Sequence, residues 1–477
     1  MLVSFNWLKQ FVNLPDSVTA EEVAHKLTMS SVEVEGVKKM GESLNGIIVG
    51  KVKKVDKHPD ADRLKVCVVY DGQNDLQVVC GGSNVKEGML CAFAPIGTKV
   101  CWHGEGEPVV LEKTKIRGVE SYGMICQSTE IGLGEMFPLK DEKEIFNLSA
   151  VAGAKVGSPV AEVLKLDDAV FEIDNKSMTN RPDLWGHYGL AREVAALYNK
   201  KLVEYNPPEI SARGGSAFGG KEGKEIKIKI KVEDKKLCPR YMAVAIAGIE
   251  IKSSPDWLQK KLFAVGLRPI NNIVDITDYV MYELGQPMHV FDYSKLVAYN
   301  SKLTNISVRR ASAGEVIKTL DGGEHKLDEL DLVIANREKA IALAGVMGGD
   351  NSEINNETKT IIFESANFEP VGVRRTALRL GLRSDSSARF EKSLDPNNCE
   401  LALRRAVQIT LELCPQAKVV SNVADESNFS LPTGPIELNW QFLWRKVGME
   451  LDKKIVIKIL NSLGFTIKEK KEDMLVT

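Results

Sequence analysis

The apolar positions change period several times along the chain, and each change marks an element. Thr19-Ala20-Glu21-Glu22 has the form of a capping box, and Val23, Ala24 and Leu27 after it fall on one face of a short helix. Val32, Val34 and the following Gly36 read as a strand, so the chain opens with a small α+β unit. From Gly46 the period is two. "IIVGKVKKV" is followed by alternating Val66, Val68 and Tyr70, a turn at Asp71-Gly72, and alternating Leu76, Val78 and Cys80. Short strands with turn residues between them continue to about Leu133, which predicts a small closed barrel.

Residues 151–200 are mixed again, with Leu190, Val194 and Leu197 at helical spacing, and belong with the opening unit. Residues 206–224 are rich in Pro and Gly and read as a linker. "EIKIKIKV" then alternates strictly, burying Ile226, Ile228, Ile230 and Val232 and leaving the lysines wet. Strands and helices mix from 238 to about 395, where Arg375, Arg379 and Arg383, four apart, predict a stripe on a helix. A helix is expected at 399–413. A second follows Asp452, with Ile455, Ile459 and Leu463 inward and Gly464 as its stop. The chain stops inside an apparent strand, "MLVT", so a longer protein cut short is expected.

Composition narrows the classes. The 477 residues exceed one core and suggest three or four domains. With 44% hydrophobic and 27% charged residues and no apolar run of membrane-spanning length, the expectation is a cytoplasmic protein with no membrane partner. A net charge of −2 argues against coating nucleic acid indiscriminately, so any such site must be local. The eight cysteines never approach C-x-x-C spacing and read as buried thiols, not as a metal site. Neither a phosphate-loop signature nor a framed G-x-G-x-x-G occurs. An ATP site is not expected in this chain.

Two sets of motifs carry the chemistry. Lys51, Lys53, Lys54, Arg63, Lys65, Lys115 and Arg117 lie on strands and loops of the expected barrel, where they form either a solvated basic face or a track for an RNA backbone. The wording around them, "VGKVKKVDKHPDADRLKVCVVYDG", "VVCGGSNVKEGML" and "KIRGVESYGMICQSTEIGL", resembles the tRNA-binding OB module of several tRNA-handling proteins. The stretches 238–292 and 345–396, with "NRPDLWGHYGLAREVAAL" and "LNWQFLWRKVGMELDKKIVIKILNSLGFTI", resemble the β subunit of bacterial phenylalanyl-tRNA synthetase, in order and over essentially the whole chain.

That resemblance implies an α+β multidomain fold with an OB-fold β-barrel inserted in a small α+β domain. A mixed α/β editing domain and a partial winged-helix-like domain follow. The expected layout is 1–40 plus 151–205 for the small domain, 41–150 for the barrel, and 206–224 for the linker. The editing domain is expected at 225–398 and a truncated end domain at 399–477. The implied function is tRNA binding and hydrolysis of tyrosine wrongly joined to tRNA(Phe). The implied partners are an α subunit, in an α2β2 ligase that uses ATP and Mg2+ to attach phenylalanine for protein biosynthesis, and tRNA(Phe) itself. Ligands for ATP or metal are not expected within residues 1–477. The rival reading is a non-catalytic tRNA-binding protein or nucleic-acid-binding regulator.

Carried over residue by residue, the family's tyrosine-recognising glutamate falls on Glu364 in "IIFESANF" and its site histidine on His289 in "GQPMHVFD", with Thr277 and Gly345 on the lining. Its pocket threonine and alanine fall on Ser384 and Ser386, which differ but stay small. Asp278 stands where asparagine is common, and an added carboxylate there would repel phosphate. A pocket that tests an amino acid by size needs short side chains of its own, and a second hydrolytic site restores accuracy that one hydrophobic sieve lacks. Arg375, Arg379 and Arg383, with Arg374 and Arg389, are candidates for tRNA phosphate or for pairing with acids on neighbouring elements.

Overall fold

The computed structural model describes residues 1–151, 153–210, 226–297, 303–337, 339–431, 434–470 and 473–477. Most of the linker expected at 206–224, residues 211–224, lies outside the described residues. The fold is mixed α+β, in two compact units: residues 37–170, and residues 1–36 together with 171–477.

In the 37–170 unit, β1 (Ile48–Lys57), β2 (Lys65–Tyr70), β3 (Asp75–Cys80), β4 (Leu90–Pro95) and β5 (Gly123–Ile125) form an antiparallel sheet in the order β5-β4-β1-β2-β3. Its edges meet. Tyr122 N donates to Gln77 O at 2.9 Å, and Val79 N donates to the Ser121 hydroxyl at 3.1 Å, so the sheet is a nearly closed barrel. Gly50 makes the curvature possible: a Cβ there would sit 2.8 Å from both Phe93 and Val69. The interior takes Val52, Cys67, Val69, Val78, Cys91 and Phe93. In β2 both faces read apolar in sequence, and it is Cys67 and Val69 that point inward, leaving Val66 and Val68 half-buried.

In the other unit, the opening helix Ala20–Ser30 carries the full capping box, Thr19 and Glu22 exchanging bonds, and buries Val23, Ala24 and Leu27. Two five-stranded sheets follow. The first places β7 (Arg240–Ala247), β8 (Met288–Asp292) and β13 (Thr360–Asn367) in the order β8-β13-β7, with Lys418–Val419 and Ala424–Ser427 beyond β7. The second runs β6 (Lys227–Val232), β9 (Leu303–Arg310), β10 (Leu332–Ala335), β11 (Ala340–Leu343) and β12 (Met347–Gly348). One core joins them: Tyr241, Ala243, Phe291 and Ile362 meet Ile306, Val308, Val333 and Ile341. Helices α1 (Asn272–Leu284) and α4 (Asn398–Leu413) also pack on the first sheet, α1 against β8 and α4 against β13 and β7. α2 (Pro370–Leu380) and α3 (Asp385–Phe390) precede α4.

Two sequence readings change. α2 stops at Leu380 because Gly381 takes the left-handed conformation, φ 69°, so Arg383 lies beyond the helix and the arginine stripe has two members on it. In the last helix, Lys453–Ser462, Ile455 and Ile459 are exposed and Val456 faces the small core with Met474 and Trp440. "IVIKIL" is apolar on two helical faces, and the sheet of Ile436–Asn439, Ile467–Glu469 and Asp473–Val476 selects one of them. Among the described residues no helix is long and apolar enough to cross a membrane.

Candidate functional site

Strand register creates the site. His289 on β8 and Glu364 on β13 are direct partners, so both side chains leave the same face of the sheet. On the other side of β13, Ala243 opposes Glu364 and Tyr241 opposes Ala366, which makes Tyr241 a diagonal neighbour on that face. The Tyr241 hydroxyl donates to Glu364 Oε2 at 2.6 Å, in a buried bond. His289, Gly345, Val346, Gly348, Glu364 and Ser386 line a cavity of about 60 Å³, bounded also by Ile334, Ala342 and Leu343 of the second sheet. That space admits water. Glycine is required on this wall, because a Cβ on Gly348 would lie 2.4 Å from His289 Cε1.

The electrostatics suit hydrolysis. Burial lowers the His289 pKa to about 4, so the ring is neutral at pH 7. Its Nε2 is shut from solvent and has no hydrogen-bond partner among the described residues, while the ring stands edge-on to Phe291. Burial pushes the Glu364 carboxyl up to about 7, with the Tyr241 hydrogen bond pulling the other way. A neutral imidazole with an unoccupied nitrogen can orient a water, and a carboxyl that changes charge near neutrality can bind a hydroxyl.

Residues 237–415 match the B3/4 domain family, and residues 47–158 match a putative tRNA binding domain family. The chain is 42% identical over 467 residues to the phenylalanine–tRNA ligase beta subunit of Oceanobacillus iheyensis, covering 98% of this chain and 55% of that protein. The protein of the same name from Fusobacterium nucleatum is 39% identical over 469 residues, again 98% of this chain and 55% of its own length. That of Solibacter usitatus is 40% identical over 470 residues, 98% and 56%. This chain belongs to the phenylalanine–tRNA ligase beta-subunit family. It spans about half the length of the curated relatives it matches.

Against that family's expected pocket, the structure brings His289, Glu364, Gly345 and Ser386 to one cavity. Ser384 does other work. Its hydroxyl caps α3 by accepting from Ser387 N, and it donates to Val346 O at 2.7 Å, so it fixes the lining loop without lining the cavity. Thr277 lies on α1 with its hydroxyl bonded to Val274 O, and it does not line the cavity. One turn further along α1, Met281 meets the Ser386 hydroxyl. Burial, with Asp275 and Asp385, pushes the Asp278 carboxyl up to about 7, which reduces the negative charge this departure introduces at neutral pH. Tyr241 was not legible as a site residue, because only the pairing of β7 with β13 places it beside Glu364.

The basic candidates divide by what holds them. Lys51, Arg63, Lys115 and Arg117 are exposed. The Lys65 ammonium donates to the carbonyls of Gly82 at 3.1 Å and Val85 at 3.4 Å and ties down the loop after β3. Arg379 pairs with Asp328 at 3.1 Å and with Asp331, and Arg375 donates to Leu330 O at 2.8 Å, so both anchor α2 to one loop. Arg383, off the helix and 69% exposed, is 3.4 Å from Glu391.

Proposed function

We propose that this chain binds tRNA(Phe) and hydrolyses tyrosine wrongly attached to it, as the β part of an α2β2 phenylalanine–tRNA ligase in the cytoplasm. The finer layout proposed is an OB-fold barrel at 41–150 within a small domain of 1–40 and 151–205, an editing domain at 225–398, and a winged-helix-like domain from 399. The observation that carries the reading is the opposition of His289 and Glu364 at one cavity whose lining includes Gly345, Gly348 and Ser386, within the stretch that matches the B3/4 family.

In this reading the tyrosyl hydroxyl donates to the Glu364 oxygen that Tyr241 does not hold. Phenylalanine brings no such donor, so its entry leaves that one buried carboxyl oxygen without a partner, which favours tyrosine. His289 Nε2 orients a water against the ester carbonyl. The water oxygen bonds to the carbonyl carbon, the bond to the terminal ribose oxygen breaks, and a proton passes from the water to that oxygen. Thr277 and Ser384 take no direct part in the scheme, since their hydroxyls are bonded to the backbone carbonyls of Val274 and Val346. The arginine and lysine candidates on the surface, Lys51, Arg63, Lys115, Arg117 and Arg383, would meet tRNA phosphate.

ATP and Mg2+ belong to the proposed whole assembly with the α subunit. Among the described residues no three His, Cys, Asp or Glu side chains are grouped so that they could hold a metal ion. The test is deacylation of tyrosyl-tRNA(Phe) by the full-length β subunit assembled with its α subunit. Glu364→Ala is expected to lower the rate at least ten-fold while tRNA binding persists. An unchanged rate would leave the non-catalytic tRNA-binding reading in its place.

A further inference from the structure

A larger cavity lies in the 37–170 unit, well away in sequence from His289 and Glu364. It measures about 520 Å³, within the range of small-molecule sites, whereas the His289 cavity measures about 60 Å³. Its walls are largely apolar, from Leu64, Leu111, Ile116, Met124 and Ile125. Trp102 lines it while remaining 52% exposed, so part of its ring is open to a ligand from outside. His103 adopts a left-handed backbone, φ 56°, and its ring stands across that of Trp102 with centroids 5.5 Å apart. The two rings belong to a short turn carried by the hairpin of Lys99–Val100 with Val109–Val110.

The charged groups on the lining are of both signs. Arg63 and Lys143 are exposed cations on the lining, and Glu112 and Glu142 are exposed carboxylates beside them, so the mouth has no net attraction for a lone phosphate. Glu130 is buried, and its carboxylate accepts from Gln127 N at 2.7 Å. Such a hollow suits a flat, uncharged ring that carries hydrogen-bond donors and is attached to an anionic backbone. We propose that this cavity captures one unstacked nucleobase of a bound RNA, with its face on Trp102 and the adjoining phosphate on Arg63 or Lys143. Aromatic side chains that take splayed-out bases in this way contribute affinity without depending on salt. The inference rests on the tRNA-binding reading and deepens it by naming a subsite and the group it takes.

The experiment measures affinity of the 477-residue chain for a tRNA(Phe) transcript and for a blunt RNA duplex that has no unstacked bases, each over a series of salt concentrations. Trp102→Ala is expected to weaken transcript binding by about ten- to a hundred-fold with an unchanged salt slope, and Trp102→Phe to restore most of it. Arg63→Ala should instead flatten the slope by about one unit. Duplex binding should be indifferent to Trp102. Circular dichroism and the melting curve of each variant establish that the barrel is folded, and Trp102→Phe serves as the folded comparator if Trp102→Ala melts early. Transcript binding unaltered by both Trp102 variants overturns the proposal, as does an equal loss on the duplex. If the unaltered chain binds neither RNA, the tRNA-binding reading itself fails, which is a different result from RNA binding that ignores Trp102.

Discussion

Replacing Tyr241 by phenylalanine removes one oxygen and leaves the ring in the core. The lost hydroxyl donates to Glu364 Oε2 at 2.6 Å, where the carboxyl is already pushed up to about 7 by burial. A hydrogen bond to a charged group contributes about 1.5–3 kcal/mol, and about 1.36 kcal/mol corresponds to one pKa unit, so the carboxyl should rise by about one to two units further. Its ionised fraction at pH 7 then falls from about one half to roughly 1–10%. If tyrosyl recognition uses the ionised carboxylate, kcat/KM for deacylation of tyrosyl-tRNA(Phe) should fall about five- to fifty-fold at pH 7, its rising limb displaced upward by the same one to two units. The assay is initial-rate deacylation from pH 6 to pH 9 with spontaneous ester hydrolysis subtracted at each point. Recovery toward the unaltered rate near pH 9 is the diagnostic result. A uniform loss at every pH, or a limb that does not move, would refute the assignment of Tyr241 to the positioning of Glu364.

Other consequences follow from the same geometry. The Glu364 carboxyl is raised from 4.5 to about 7 on folding, so the native state holds its proton more tightly; stability from this group is complete below about 4.5 and is lost as pH rises through about 7. Glu364→Gln should therefore stabilise the chain by about 3 kcal/mol at pH 8 and by almost nothing at pH 4, read from urea midpoints, and an equal gain at both pH values would contradict it. Gly348→Ala drives a methyl group into the His289 ring and should lower deacylation more than ten-fold, with tRNA affinity retained as the check on folding. Arg379→Ala leaves Asp331, 1% exposed, with its hydrogen bonds from Thr376 and from Asp328 N but without its cation, and should cost about 3 kcal/mol in urea unfolding. Arg383→Ala, at an exposed arginine, should leave stability within about 0.5 kcal/mol and test the phosphate reading through the salt slope of tRNA binding.

Local pattern in the sequence determined much of this molecule. Thr19 and Glu22 announced a helix start because a capping box is satisfied within four residues, and the alternation from Ile226 to Val232 marked a strand because side chains on a pleated backbone repeat every two positions. The strings around His289 and Glu364 likewise identified the family before any contact was visible. What tertiary structure alone decided is which of two permissible faces turns inward and which distant residues meet. "IVIKIL" is apolar on two sides, and only the sheet packed against it buries Val456 and leaves Ile455 in water. Ser384 is as small as Ser386, yet one caps α3 and the other lines the cavity, a difference set by backbone direction at the helix start. Tyr241 and Glu364 are 123 residues apart, and the register of two antiparallel strands, a long-range property that neither segment encodes by itself, brings the phenol onto the carboxylate.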